Sequence, residues 1–348
     1  MPVLKSFVFF LLLCHTHLLL ACTAFHWKGA EGAFAGKSYD WNHPQALLLT
    51  NKRGVKKQGF TIRPWESGPT WTSRLGSVTF NQYGREFPNG GMNEAGLMVE
   101  VLWLNSSEYE GFDYRPVLNQ LTWVQYQLDN FTRVSEVIDA LPQYRMSPIQ
   151  GKIHYFVCDA EANCAVVEWL KGKPVVHSGA QLNPQAITNH TFEESLVSLR
   201  GIQGQLQLKT SLNSTDQSSL NRFKTVVEAM KTEVPSVGQS FNLLSAVRIP
   251  QLTTWHIVYD ITRKEIHYRT KANEAIRSVQ IESFDFDCKK EVQMLGVDEG
   301  TGAVNSLFTS FDENRNYAVI QESLSDVNFA WMLAPMLSRY PGTTVCTQ

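Results

Sequence analysis

From residue 22 onward, apolar and polar positions alternate in short runs rich in β-branched and aromatic side chains, the pattern of half-buried strands. Such runs cover 23–28, 32–40, 46–51, 74–81 and 96–104. They return at 153–158, 164–170, 174–178 and 185–188, and again at 255–261, 265–270 and 277–284. Apolar residues fall at helical spacing over 116–129, 134–141, 192–203, 218–231, 239–248 and 325–338. Pro116 suits the first turn of its helix, and Thr262-Arg263-Lys264 joins two strands as a hairpin. The Gln/Ser/Thr-rich stretch 204–217 reads as a loop. Strands cluster first, a helical pair follows, then strands and helices recur. That order suits stacked sheets covered by helices better than a doubly wound parallel sheet. No internal repeat and no break in composition marks a domain boundary.

Residues 1–21 follow a different rule. Lys5 precedes the apolar run Phe7 to Leu13, Cys14-His15-Thr16-His17 interrupts it, and Leu18 to Ala21 resumes it. A basic start, a short apolar core and a small residue at the end form a secretory signal. The core is too short and broken for a transmembrane helix, and no later uncharged stretch reaches about 18 residues. The expected chain is therefore a signal peptide at 1–21 and a single domain at 22–348, secreted or periplasmic, without stable membrane insertion. Three cleavage readings stand at this point. A cut after Ala21 leaves Cys22 first, a cut after Ala24 discards it, and Leu19-Leu20-Ala21-Cys22 resembles a bacterial lipoprotein signal whose cysteine is lipidated.

Composition matters here for what it excludes. Hydrophobic residues at 43% and charged residues at 18% rule out a disordered chain. A net charge of −2 offers no basic surplus for nucleic acid. Losing residues 1–21 removes one lysine (Lys5) and one cysteine (Cys14), so −2 becomes −3 and six cysteines become five. An odd cysteine in an oxidising compartment suggests a reactive thiol. Cys158 and Cys164 flank five residues between two strand-like runs, a spacing for a hairpin cross-link, and Cys288 with Cys346 would pin the C-terminal tail. Cys22 is then the unpaired one; the alternative is that all the thiols are free.

No metal-ligand spacing, Walker sequence, strand-borne GxGxxG or GxSxG elbow occurs, so no cofactor or metal is expected. What remains is Cys22-Thr23 opening a strand, followed by a second strand ending Gly36-Lys37-Ser38-Tyr39-Asp40-Trp41. An N-terminal cysteine carries a thiol and an α-amine on one residue, and with a pKa of ~7.7–8.0 the amine can serve as base near neutral pH. Asp40 would orient the pair, and Lys37 would favour thiolate.

These segments, with Gly91-Met92-Asn93-Glu94-Ala95-Gly96-Leu97, Thr188-Asn189, Asn221-Arg222-Phe223 and the hairpin from Tyr259-Asp260 to Tyr268-Arg269-Thr270, resemble the choloylglycine hydrolase and penicillin V acylase family. The resemblance covers Cys22 to Thr270. It implies an α+β fold, a four-layer αββα sandwich of the N-terminal-nucleophile type, with two antiparallel sheets and helices on their outer faces. It implies hydrolysis of a linear, non-peptide amide of an N-acyl compound through a thioester. Cys22 matches the nucleophile, Asp40 the aspartate that contacts it, and Asn189 the side-chain donor to the oxyanion. Trp103 stands where a backbone N–H is the second donor, and Arg222 matches the arginine near the nucleophile. The chain departs from the family in having Lys37 for the usual arginine, which loses the fork geometry. It also has Trp103 where bile-salt hydrolases carry asparagine, which argues against conjugated bile salts. The same site would support acyl transfer to an amine, and a lipid-tethered binding protein with a blocked Cys22 is the reading from another class. Self-association is common among relatives, so a homo-oligomer is compatible. Asn93 reads as a turn residue, Asn189 sits in a formal glycosylation sequon, and Trp65, Trp71 and Trp103 are candidates for an acyl pocket.

Overall fold

The computed structural model describes residues 21–149, 151–199 and 214–347. The predicted signal peptide, apart from Ala21, and the predicted loop up to residue 213 lie outside the described residues. Two large sheets dominate. The first runs Ala186–Ile187, Thr23–Gly29, Gly32–Asp40, Thr253–Asp260, Glu265–Thr270, Arg277–Gln280, Gly302–Ala303. All its pairs are antiparallel except the last. The second is antiparallel throughout and runs Lys173–Ser178, Cys164–Leu170, Ile153–Cys158, Met98–Trp103, Gly90–Asn93, Ser77–Asn81, Leu47–Asn51, Gln293–Gly296, Thr309–Ser310.

The alternation that defines the strands also sorts their side chains between layers. Along Met98–Trp103, Met98 and Leu102 join Phe34, Phe80, Phe156 and Tyr259 in the core between the sheets, whereas Val99 and Val101 pack with Trp123, Val124 and Leu128 on the opposite face. Helices Gln120–Asn130 and Val134–Ala140 cover that face, and helices Ser214–Thr232 and Val237–Ala246 cover the first sheet. The result is the αββα order. Two disulfides, Cys158–Cys164 across a hairpin and Cys288–Cys346 at the C-terminal segment, are formed, and Cys22 is free.

Several boundaries differ from the sequence reading. Pro116 does not open a helix. Val117–Leu118 pairs in parallel with Arg145–Met146, and the helix starts after Asn119, whose Oδ1 accepts the N–H groups of Leu121 and Thr122 at 3.1 and 3.0 Å. Residues 214–217 are helical rather than loop, as the first turn of Ser214–Thr232. The helix expected over 325–338 starts only at Ala330 and runs to Arg339, and a helix the sequence reading did not expect, Glu313–Ser323, precedes it across a turn. Arg277–Gln280 ends in a single turn of 3-10 helix, not a strand reaching 284. Among the described residues no helix is long and apolar enough to cross a membrane.

Candidate active site

Cys22 stands immediately before the first strand, and Asp40 closes the second. Thr23 faces Ser38 across that hairpin, so the antiparallel register carries Cys22 across from Tyr39, one residue from Asp40. Both are buried. The Asp40 backbone N–H bonds the thiol, while Asp40 Oδ1 accepts from the hydroxyls of Ser38, at 2.9 Å, and Thr253. Its Oδ2 is buried with no partner among the described residues. Burial raises the Asp40 carboxyl to about 6 against the pull of Arg222, the two hydroxyls and Lys37. Burial likewise pushes the Cys22 thiol up, and the Lys37 charge is the largest influence drawing it back.

Asn189, in the turn between strand Ala186–Ile187 and helix Phe192–Leu199, reaches the same point from the side. Its Oδ1 accepts the Cys22 N–H at 2.7 Å and Arg222 Nη2 at 2.9 Å. Arg222, from helix Ser214–Thr232, also donates through Nη1 to the Cys22 carbonyl and Thr23 Oγ1, both at 2.6 Å. Arg222 thus binds the start of the first strand rather than a carboxylate. Asn189 Nδ2 donates to the Trp103 carbonyl at 2.8 Å, which leaves its second N–H for another acceptor.

The Trp103 backbone completes this arrangement. Leu104 N–H points to Lys152 across the ladder, whereas Val101 N–H points the other way, to Asn89. Successive N–H groups alternate along a strand, so Trp103 N–H shares the side of Val101, where the neighbouring strand has already ended at Gly90. The N–H and C=O of one residue point to the same side in an antiparallel strand, so the Trp103 N–H lies beside the Asn189 amide. Cys22 and Trp103 line the same cavity, with Asn189 bonded to both backbones.

Lys37 lies fully buried between the sheets. Its ammonium donates to the Val101 carbonyl, sits 4.0 Å from Glu100 Oε2 and lies 5.6 Å from the centre of the Tyr39 ring. Glu100 accepts from the Tyr259 hydroxyl. Burial raises its carboxyl to about 7, although Lys37 and Tyr259 pull it down. Room for that carboxylate comes from Gly90, where a Cβ would sit 2.4 Å from Glu100 Cδ. The sequence reading named Lys37 but missed Glu100 and Tyr259. The available signal was a lone carboxylate at an inward position between Met98 and Leu102.

Cys22 opens into a cavity of about 240 Å³. Tyr39, Trp41, Tyr83, Phe87 and Trp103 supply aromatic wall, and Leu324, Leu333 and Leu337 of the C-terminal segment close the far side. His43 and Asp326, at its lining, pair at 2.8 Å. Of the three tryptophans suggested for a pocket, only Trp103 lines this one. Trp65 is 68% exposed, and Trp71 is buried against Asp129. Asn93 is buried at the end of the strand Gly90–Asn93, its Oδ1 accepting the Ala95 and Leu97 N–H groups of the turn that follows and its amide bonded to the Leu128 and Phe131 carbonyls. Among the described residues, His26, Cys158 and Cys164 are grouped as metal ligands would be, yet the two sulfurs are joined as a disulfide, leaving one nitrogen donor.

The family model for linear amide C–N hydrolases of the choloylglycine hydrolase family matches residues 75–223. A penicillin V acylase of Pectobacterium atrosepticum is 30% identical over 198 residues, 51% of this chain and 51% of the relative. The match thus spans about half the length of that curated relative. The solved penicillin V acylase of Agrobacterium tumefaciens superposes with a TM-score of 0.69 at 25% identity, over 84% of this chain and 98% of that one. A mutant conjugated bile acid hydrolase of Clostridium perfringens shares the fold, with a TM-score of 0.65 at 18% identity over 81% and 98%.

Proposed function

Because this chain belongs to the choloylglycine hydrolase family of linear amide C–N hydrolases, we propose that it hydrolyses the amide of an N-acyl compound, with Cys22, freed by cleavage after Ala21, as nucleophile. The observation that carries the reading is the convergence of Asp40, Asn189 and Arg222 on one buried free cysteine at an apolar cavity.

Burial keeps the thiol protonated at rest, so its proton must leave as the bond forms. The α-amine of the same residue takes it, and the sulfur attacks the acyl carbonyl. The second N–H of Asn189 and the Trp103 N–H receive the oxyanion, donors typically worth about 3 kcal/mol each in such sites. The amine returns its proton to the departing nitrogen as the C–N bond breaks. Water then attacks the thioester, losing a proton to the same amine, and the carboxylic acid leaves. Asp40 and Arg222 hold the chain start: Arg222 fixes the Cys22 carbonyl, and the free Asp40 Oδ2 offers an acceptor for the α-ammonium. The cavity favours an apolar or aromatic acyl group. Secretion agrees with the two disulfides, and burial of Cys22 at 3% exposure speaks against a lipid anchor on its sulfur.

Cys22→Ala should abolish release of p-nitroaniline from phenylacetyl p-nitroanilide while leaving circular dichroism unchanged. Intact mass should show a free Cys22 at the mature N-terminus. An active Cys22→Ala protein, a start at Phe25 or a diacyl mass increment would overturn the reading. Adding a competing amine separates hydrolysis from acyl transfer by its products.

A further inference from the structure

The mechanism leaves unused a buried cluster on the second sheet: His154, Glu168 and His177, from three successive strands. Tyr155 faces Val167, so His154 and Glu168, one position further along each strand, are cross-strand neighbours. His154 Nδ1 lies 3.0 Å from Glu168 Oε1, and His177 Nε2 lies 3.7 Å from Oε2. Burial pushes the Glu168 carboxyl up, but the two imidazoles outweigh it and leave the group below its ordinary range. The other contacts of this pair fall on one short piece of backbone. His154 Nε2 meets the Thr188 carbonyl at 2.8 Å, and Glu168 Oε1 accepts the Phe192 N–H at 3.1 Å. These two anchors bracket Asn189, one residue before it and three residues after. Both ring nitrogens of His154 are within hydrogen-bond distance of oxygens, which fixes the ring between Glu168 and the turn.

A buried carboxylate held by imidazoles is a poor device for stability alone, since desolvation consumes most of the attraction and apolar residues would pack as well. It does fix direction. An oxyanion donor contributes only when held to within a fraction of an ångström of the developing charge. The geometry points to His154 and Glu168 as positioning residues that clamp the 188–192 turn and thereby aim Asn189; this rests on the oxyanion role given to Asn189 above. His177 stiffens the clamp from behind, with its ring 4.9 Å from that of Phe192 and its Nδ1 3.9 Å from the exposed Glu193.

The test is a double-mutant cycle on phenylacetyl p-nitroanilide. Glu168→Gln keeps the shape and an acceptor for Phe192 but removes the charge that orients His154. It should lower kcat about tenfold with KM within about twofold, because Asn189 acts in the transition state. In an Asn189→Ala background the same change should cost less than about twofold. If the tenfold loss persists in that background, the clamp does not act through Asn189 and the inference falls. If Asn189→Ala leaves kcat unchanged, the oxyanion assignment itself fails, and with it the purpose of the clamp. As a second pair at matched melting temperature, His154→Gln, which retains an N–H for Thr188, should keep more kcat than His154→Leu. Equal loss in the two would count against the clamp.

Discussion

Glu100 makes a quantitative forecast possible. Its carboxyl is buried between the sheets with a folded-state pKa of about 7, against 4.5 for an unburied glutamate. A raised carboxyl favours the folded state while protonated. The contribution is fully present below about pH 4.5 and is lost as pH rises through 7. The difference of about 2.5 units, at 1.36 kcal/mol per unit, corresponds to about 3 kcal/mol. Glu100→Gln carries no such titration. Whatever constant cost or gain the amide brings, the stability of the variant relative to the native chain should improve by about 3 kcal/mol between pH 4 and pH 8. Urea unfolding followed by tryptophan fluorescence at pH 4, 6 and 8, with disulfides intact, measures this directly. A difference between the two proteins that is flat with pH, or that moves the other way, would refute the burial argument. It would imply that water or a rearranged Lys37 solvates the carboxylate.

Two other changes probe the cavity wall. Leu337→Ala, at a buried cavity-lining position, should cost about 2–4 kcal/mol of stability and shift preference toward acyl chains two or three methylenes longer, with kcat/KM gaining up to about fourfold per methylene. Unchanged chain-length preference in a p-nitroanilide series would show that the acyl group lies elsewhere. Replacing both Cys288 and Cys346 by Ser opens a loop of 58 residues, for which chain entropy predicts a loss of about 4 kcal/mol. It should also raise KM, because that bridge ties down the tail following the Ala330–Arg339 helix that closes the cavity. A stable double variant with native KM would mean that strand pairing of Val345–Cys346 suffices.

What local pattern could reveal, it did. The runs 32–40, 153–158 and 164–170 were legible because period-2 alternation with β-branched and aromatic residues is a property of a few consecutive positions, and the Cys158 and Cys164 spacing was part of the same hairpin. Gly90–Asn93 carried no such signal: Gly90 and Gly91 have little strand preference, and at Gly90 a side chain would overlap Glu100. Glu313–Ser323 escaped notice because Ile320 is the only apolar residue among its fully buried positions, so no broad stripe exists to read. In the site, Cys22 and Asp40 were visible as the two ends of one hairpin, whereas Asn189, Arg222 and Trp103 became visible through the family resemblance. Glu100, His154 and Glu168 acquire meaning from partners on other strands: Lys37 and Tyr259 for the first, and the Thr188 carbonyl for the clamp. No window of neighbouring residues contains that information.

The wall built from Leu324, Leu333 and Leu337 has a consequence for how activity arises in time. Those residues follow Cys22 by more than 300 positions, so the cavity closes one of the longest loops the chain can form. Contacts of such sequence separation come late, since their closure entropy must be met before they return anything. During refolding the Cys22–Asp40 hairpin and the sheets can assemble while the acyl site still lacks its far side. Turnover should therefore recover after fluorescence and secondary structure have done so, which makes substrate cleavage a reporter of the final docking of the C-terminal helices.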